Sequence, residues 1–273
     1  SDGGDRRAAD CAKRVSHSFS RALVREPTAN FADGLTTVTL GVPDFPLALK
    51  QHAAYCAALR TCGVSVTALP PQPDFPDATF IEDAAVIVPG LAVLARPGAA
   101  SRSGEVATVR AAVTLAIGNV KEVVAPGTLD GGDVCEDGKH LFIGVSHRSN
   151  AEGARQLATF VAERGYQAST IDIRGIASIL HLKSALVSIG DGLMVAIGEL
   201  ATHPALKGRE VIQVRPEEAY AANCVRVNDR VLVASGFPRL ADALAARGLA
   251  PLPLAMSEFQ KMDGGLSCLS LRF

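Results

Sequence analysis

The chain has 273 residues, of which 48% are hydrophobic and 20% charged, so it can bury a large core, and 27 basic against 28 acidic residues leave a formal charge of −1. Without a basic run this balance excludes the electrostatic footprint of a nucleic-acid or anionic-membrane binder. Six cysteines occur with no C-x-x-C pair and no H-E-x-x-H, which argues against a disulfide scaffold or a zinc cluster and for reduced thiols in a cytoplasm.

In chain order, the polar start SDGGDRRAAD carries no signal-peptide pattern and reads as a frayed end over about residues 1–15. Residues 46–62 follow a helical pattern with Leu47, Leu49, Ala54, Ala57 and Ala58, stopped by Gly63. Four segments then share one design, an apolar strand, a tight turn and a second apolar strand: DAAVIVPGLAVLARPG, GDVCEDGKHLFIGVS, SALVSIGDGLMVAIG and ANCVRVNDRVLVASG. Their turns are Pro89-Gly90, Asp137-Gly138, Asp191-Gly192 and Asn228-Asp229, residues that tolerate the positive φ of two-residue hairpins. The apolar stretch 84–95 is broken by its Pro-Gly and is too short to span a bilayer.

Helical patterns at 101–117, 150–164 and 238–247 each end before a glycine, and a single strand tends to follow each helix, as in VSVTAL, EVVA, QASTI and LPLAM. The unit is therefore ββαβ, recurring at the spacing that marks arrays and propellers. A fifth copy is split between the ends: LSCLSLRF pairs near TTVTLGVP and closes a ring, which removes open sheet edges. The reading is one α/β domain over residues 1–273, a pseudosymmetric five-bladed β/α propeller, with an ordinary α/β sandwich as its rival.

Polar residues interrupt this pattern at strand ends, where a repeat scaffold keeps its chemistry. Asp77, Glu82 and Asp83 precede an apolar strand and read either as a solvated strand end or as an anionic pocket for a cation. Asp130 precedes Gly131-Gly132, either an ordinary turn or a close backbone approach to a ligand. His181 lies in the apolar run SILHLKSALV with Lys183 two residues on; its ordinary reading is a rim residue, its functional one a proton shuttle. Cys268 follows Asp263-Gly264-Gly265 and enters the last strand, behind a capping-box spacing from Ser257 to Gln260. A free thiol has a pKa of about 8.5 and needs a nearby cation to react near neutral pH. Arg102 and Arg148 each follow a strand, and guanidinium forks recognise carboxylates, although surface arginine is the plainer reading of each.

The order of these signals carries more than any one of them. PDATFIEDAAV, RPGAASR, TLDGGDV, GVSHRSN, LHLKS and MSEFQKMDGGLSC together resemble the dimethylarginine dimethylaminohydrolase family of guanidino-group-modifying enzymes, over roughly residue 18 to the C-terminus. The resemblance implies a fivefold pseudosymmetric β/α propeller. It implies Cys268 as nucleophile, His181 as acid and base, and Asp130 as the acidic partner of the histidine. It further implies Glu82 and Asp83 on the guanidinium, Asp77 and the backbone near Phe31 on the α-amino group, Arg102 and Arg148 on the α-carboxylate, and Asp263 among the substrate contacts. Mammalian members end in two consecutive cysteines, whereas Leu269 follows Cys268 here.

The implied activity is hydrolysis of Nω-methylated arginine to citrulline and a methylamine through a covalent thiouronium. It uses no metal or cofactor, takes a small guanidino amino acid as partner rather than nucleic acid or membrane, and is compatible with a cytoplasmic homodimer. An arginine deiminase-like enzyme acting on unmethylated arginine or another guanidino compound is the nearest alternative. A non-catalytic propeller binding module is the alternative from another class.

Overall fold

Five three-stranded sheets make up the computed structural model, which describes residues 17–273; Cys11 and the expected frayed end lie outside those residues. Each sheet holds an antiparallel pair and a third strand added in parallel. The first sheet joins the two ends of the chain: β1 (Arg21–Arg25) lies between β15 (Ser270–Arg272) and β2 (Ser65–Leu69), with α1 (Phe45–Thr61) crossing from β1 to β2. The second contains β3 (Ala85–Val88), β4 (Leu91–Leu94) and β5 (Val120–Glu122), with α2 (Glu105–Ile117) as its crossover. The third contains β6 (Val134–Asp137), β7 (His140–Val145) and β8 (Gln167–Asp172), with α3 (Ala151–Ala162). In the fourth, β9 (Leu186–Gly190), β10 (Leu193–Ile197) and β11 (Glu210–Val214) are linked by the 3-10 turns Gly198–Thr202 and Pro204–Leu206 in place of an α-helix. The fifth contains β12 (Val225–Val227), β13 (Arg230–Ala234) and β14 (Ala250–Leu254), with α4 (Pro238–Ala245), and the short α5 (Ser257–Gln260) follows it.

Local chemistry explains the elements. Asp191 and Gly192 both take positive φ, 55° and 76°, which matches the strand twist across a two-residue hairpin. Asp44 caps α1 by accepting from the Leu47 N–H at 2.8 Å, and Asn150 caps α3 by accepting from Gly153 at 2.8 Å. β14 reads APLPL and pairs with β13 as a sheet edge, the position where alternate prolines cost no ladder hydrogen bond. β4 and β9 are buried along their whole length; β4 is accordingly a continuous apolar run, and the one hydroxyl of β9, Ser188, donates to Asp137 at 2.9 Å.

The first strand of each sheet faces the ring's axis. β15 packs beside β3, β6 beside β9, and β9 beside β12. Residues from all of these strands line a central cavity of about 120 Å³ that holds Glu82, Lys183, Arg226 and Arg272. A 3-10 turn precedes each axial strand: Ile81–Ala84 before β3, Gly131–Asp133 before β6, Leu182–Ser184 before β9, Pro216–Ala222 before β12 and Ser267–Leu269 before β15. The pseudosymmetry therefore delivers five short turns to corresponding places around one axis.

Several expectations are corrected. The N-terminal partner of the last strand is β1, Arg21–Arg25, and not TTVTLGVP; residues 36–43 form a largely exposed loop, held by side-chain bonds from Thr36 to the Lys261 carbonyl and from Thr37 to Asp263. Cys268 sits in the turn before β15 rather than in the strand, and His181 immediately precedes a 3-10 turn rather than lying in a strand. The strand after α2 is 120–122, earlier than EVVA. At α5, Ser257 is the first helical residue and not the cap; its hydroxyl bonds Glu258.

Candidate active site

The turn carrying Cys268 packs on the Ile81–Ala84 turn, that turn packs on Gly131–Asp133, and Gly131–Asp133 packs on Leu182–Ser184. This chain of contacts joins the ends of four sheets. It brings Cys268, Glu82, Asp83, Asp130 and His181 into one neighbourhood, although 51 residues separate even Asp130 from His181.

His181 Nε2 lies 2.9 Å from Asp130 Oδ2, and both groups are buried. Burial alone would push the imidazole pKa down, but the Asp83 charge, the Asp130 hydrogen bond and the Asp133 charge raise it to about 9. The resting histidine is therefore an imidazolium at neutral pH. Burial would raise the Asp83 carboxyl, yet His181 and the Arg102 guanidinium hold it down to about 2. Asp83 Oδ2 accepts from Arg102 Nη1 at 2.5 Å and Asp83 Oδ1 from the Gly132 N–H at 2.8 Å.

The glycines of LDGGDV are required by this proximity. A Cβ at Gly132 would stand 2.7 Å from Asp83 Oδ1 and 2.9 Å from the His181 ring, and one at Gly131 would collide with the Glu82 carbonyl.

Cys268 is partly exposed, in contrast to the buried Cys56, Cys62, Cys135 and Cys224, and all five are free thiols. Its pKa is pushed up to about 12, first by desolvation and then by the Glu82 and Asp83 carboxylates. Burial pushes Cys135 and Cys224 to about 12 as well, so a raised pKa does not single out Cys268; its partial exposure does. The sulfur accepts from the Gly265 N–H at 3.4 Å.

Glu82 and Asp83 diverge because they lie in a 3-10 turn. Glu82 Oε1 takes Lys183 Nζ at 2.7 Å and Arg272 Nη2 at 2.9 Å, while its Oε2 is buried and unpartnered among the described residues. Arg102 is 4% exposed; besides Asp83 it bonds both Glu105 oxygens and the carbonyls of Asp77 and Phe80. Arg148 is different: its Nη1 is buried and unpartnered among the described residues. Its charge counts among those opposing the burial-driven rise of the Asp77 pKa. Asp77 accepts the Leu35 N–H through both oxygens at 3.1 Å.

Phe31 puts its ring in the core against Phe80 and Phe259. Asp263, at φ 57°, turns to the loop, where its Oδ2 accepts the Thr37 N–H at 2.5 Å and the Thr37 hydroxyl at 2.9 Å. Polar atoms of Asp83, Asp130 and His181 lie within 4.8 Å of one another. Their acceptors already serve Arg102, Gly132, Gly98 and His181 itself, so this is a closed ion-pair network rather than a ligand set.

Sequence reasoning missed the residues that hold this frame. Asn223 donates to the Lys183 carbonyl and to Ser267 Oγ and accepts the Ser267 N–H, tying the histidine segment to the cysteine segment. Asp133 and Glu105 are equally silent in the sequence. For Asn223 the one available signal is its place before β12, equivalent to the other turn positions.

Known proteins resemble this chain in sequence and fold. A family model described as N,N dimethylarginine dimethylhydrolase, eukaryotic, matches residues 46–229, more than half of the chain. The N(G),N(G)-dimethylarginine dimethylaminohydrolase of Pseudomonas aeruginosa is 40% identical over 256 residues, covering 93% of this chain and all of the relative. That of Streptomyces coelicolor is 38% identical, covering 92% of this chain and 96% of the relative. A solved cysteine-to-serine mutant of the Pseudomonas aeruginosa protein, complexed with citrulline, superposes with a TM-score of 0.91 over 94% of this chain and all of that one. The N-terminal domain of a cyanobacterial arginine dihydrolase, 21% identical, shares the fold with a TM-score of 0.83 over 92% of this chain and 96% of that one. Matched by this family model over more than half its length and 40% and 38% identical to these two enzymes over nearly all of it, the chain belongs to the dimethylarginine dimethylaminohydrolase family.

Proposed function

We propose that this protein hydrolyses the guanidino group of Nω-methylated arginines to citrulline and methylamine or dimethylamine, with Cys268 as nucleophile. The observation that carries this is Asp83: one buried carboxylate acts electrostatically on both the Cys268 thiol and the His181 imidazolium. Beside them Glu82 Oε2, buried and unpartnered among the described residues, is the acceptor left for a flat cation. The complexes of Pseudomonas aeruginosa relatives with citrulline and of a family enzyme with S-methyl-L-thiocitrulline support a substrate of this shape.

The resting thiol, at about 12, is unreactive, so the substrate itself activates it. A guanidinium charge about 4 Å away, at an effective dielectric near 20, contributes roughly 4 kcal/mol, or about three orders of magnitude in thiol ionisation. It also neutralises the two carboxylates that oppose ionisation. The thiol proton leaves to water as the cation binds, and the thiolate adds to the guanidino carbon. His181, already protonated, gives its proton to the departing amine, leaving a thiouronium on Cys268. The now neutral His181 takes a proton from water; the resulting hydroxide adds to the same carbon, the C–S bond breaks, and the ureido product leaves. Asp130 holds the imidazole throughout.

Glu82 Oε2, buried and unpartnered, supplies a second acceptor for the guanidinium. Arg148 takes the α-carboxylate, and Asp77 with the 31–35 backbone receives the α-amino group. Arg102, engaged with Asp83 and Glu105, serves as the anchor of Asp83, and Asp263 as the anchor of the loop.

The test is mass spectrometry of protein quenched during turnover of dimethylarginine, together with assay of dimethylamine and ammonia. A substrate-derived adduct on the Cys268 peptide, absent in Cys268→Ser, is expected, with dimethylamine released. Turnover by Cys268→Ser, or ammonia from arginine as the preferred reaction, would replace this reading.

A further inference from the structure

We propose that Asp133, the second aspartate of LDGGDV, is a positioning residue that fixes His181, Asp130 and the Arg148 segment in one register through a single buried carboxylate. The proposal rests on the reaction read above.

Asp133 has no exposed surface. Its Oδ1 accepts the Leu182 N–H at 2.9 Å, directly after His181. Its Oδ2 accepts the hydroxyls of Ser146 and Ser149, each at 2.6 Å. Both serines pass the constraint on. Ser149 Oγ accepts the Asp130 N–H at 2.9 Å, and Ser146 Oγ accepts the N–H groups of Arg148 at 2.9 Å and Ser149 at 3.0 Å. One carboxylate thus reaches three loops, and each loop carries a group of the site.

An ordinary buried aspartate that only stabilises its own turn would bond locally. Asp133 instead bonds across 13, 16 and 49 residues of chain. Space is kept for it: a Cβ at Gly144 would lie 2.8 Å from Asp133 Oδ1. Three donors and no acceptor around it favour the ionised form, and short bonds from hydroxyls to a carboxylate are the strong class. Burial pushes its pKa up, and the His181 charge and these donors oppose that rise. The charge of Asp133 also bears on His181 directly. Asp83, backed by Arg102, faces the imidazole from the Ile81–Ala84 turn, Asp130 and Asp133 from the next, Lys183 lies on its own turn, and Cys268 is the other group beside Asp83. Asp133 is therefore one of three carboxylates that keep the acid protonated.

The experiment compares wild-type protein with the near-isosteric Asp133→Asn. The His181 imidazole is titrated by ¹⁵N NMR without substrate, its signals assigned by their loss in His181→Gln, and kcat and KM for dimethylarginine are measured against pH. In Asp133→Asn the imidazolium is expected to titrate about one pH unit or more lower. The kcat should fall at least about tenfold, short of the roughly 10²–10⁴ that losing an acid–base group costs, and its alkaline limb should move to lower pH. A wild-type titration together with wild-type kcat overturns the proposal. Should Asp133→Asn not fold, Ser149→Ala keeps the charge but cuts the link to the Asp130 N–H. Its kcat is then expected to fall more than its KM rises, and wild-type kcat there overturns the proposal. The titration is read without turnover, so it still decides the matter if the substrate assignment fails.

Discussion

At the scale of single residues, chemistry is set by which partner a charge already has. Arg102 and Arg148 look alike in the sequence, each an arginine a few residues past a strand. In the structure Arg102 is bound on several sides by Asp83, Glu105 and two carbonyls, whereas Arg148 keeps a buried Nη1 with no partner among the described residues. A guanidinium–carboxylate contact of this kind contributes about 1.5–3 kcal/mol. Arg148→Ala is therefore expected to raise KM for dimethylarginine by roughly 10- to 100-fold with kcat little changed. Substrate analogues lacking the α-carboxylate should show no such penalty, and a steady-state comparison of the two substrates checks this. The pairing of Glu82 with Lys183 and Arg272 teaches the same lesson: a carboxylate next to Asp83 in sequence points to different cations because a 3-10 turn separates them.

At the scale of elements, the 3-10 turns before the axial strands do the positioning. Each is only a few residues long, and close approach between them depends on glycine. Gly132 lies where a methyl group would press on both Asp83 and His181. For Gly132→Ala, overpacking should cost about 1–3 kcal/mol, which the ring can survive. A displacement of about 1 Å at the reacting groups costs on the order of 10² in rate. The expected result is a modestly lowered Tm with kcat reduced by about two orders of magnitude, read by calorimetry and steady-state kinetics on the same preparation. The elements were partly legible. Turn dipeptides located all four internal hairpins, and glycine stops located the helix ends. The pieces misplaced were those whose conformation is set from outside: the 36–43 loop, polar and β-prone by composition, is held off the sheet by the Asp263 carboxylate and the Lys261 carbonyl.

At the scale of the whole molecule, closure is the controlling feature. β1 pairs with β15, so the two ends of the described chain complete one sheet. The last strand also brings Ser270, whose hydroxyl lies 2.6 Å from the buried Tyr55 hydroxyl, and Arg272, which pairs with Glu82. Deleting residues 270–273 would leave an open sheet edge, an unpaired buried phenol and a Glu82 carboxylate reduced to Lys183 as its one cation. Such losses of buried partners cost several kcal/mol together, comparable to the whole stability of many domains. The truncated chain is expected to be unfolded or aggregated at 25 °C by circular dichroism; a cooperative unfolding transition like that of the intact chain would show that closure is dispensable. No helix of the described residues is long and apolar enough to cross a membrane.

Periodicity and turn chemistry, which are local, determined the repeat and the hairpins from the amino-acid order, while closure into a ring stayed open against a sandwich until the strand pairing β1–β15 decided it. The order of the short motifs, through the family they resemble, singled out Cys268, His181 and Asp130. What only the tertiary structure decided is who meets whom. Asp133 and Asn223 act through atoms contributed by loops far away in the chain, and a hydrogen bond has no sequence signature when its partner is 49 residues distant, as from Asp133 to Leu182. The protonation states of Cys268 and His181 belong to that second class as well, because they depend on the summed field of carboxylates that the ring brings together and that no single segment carries.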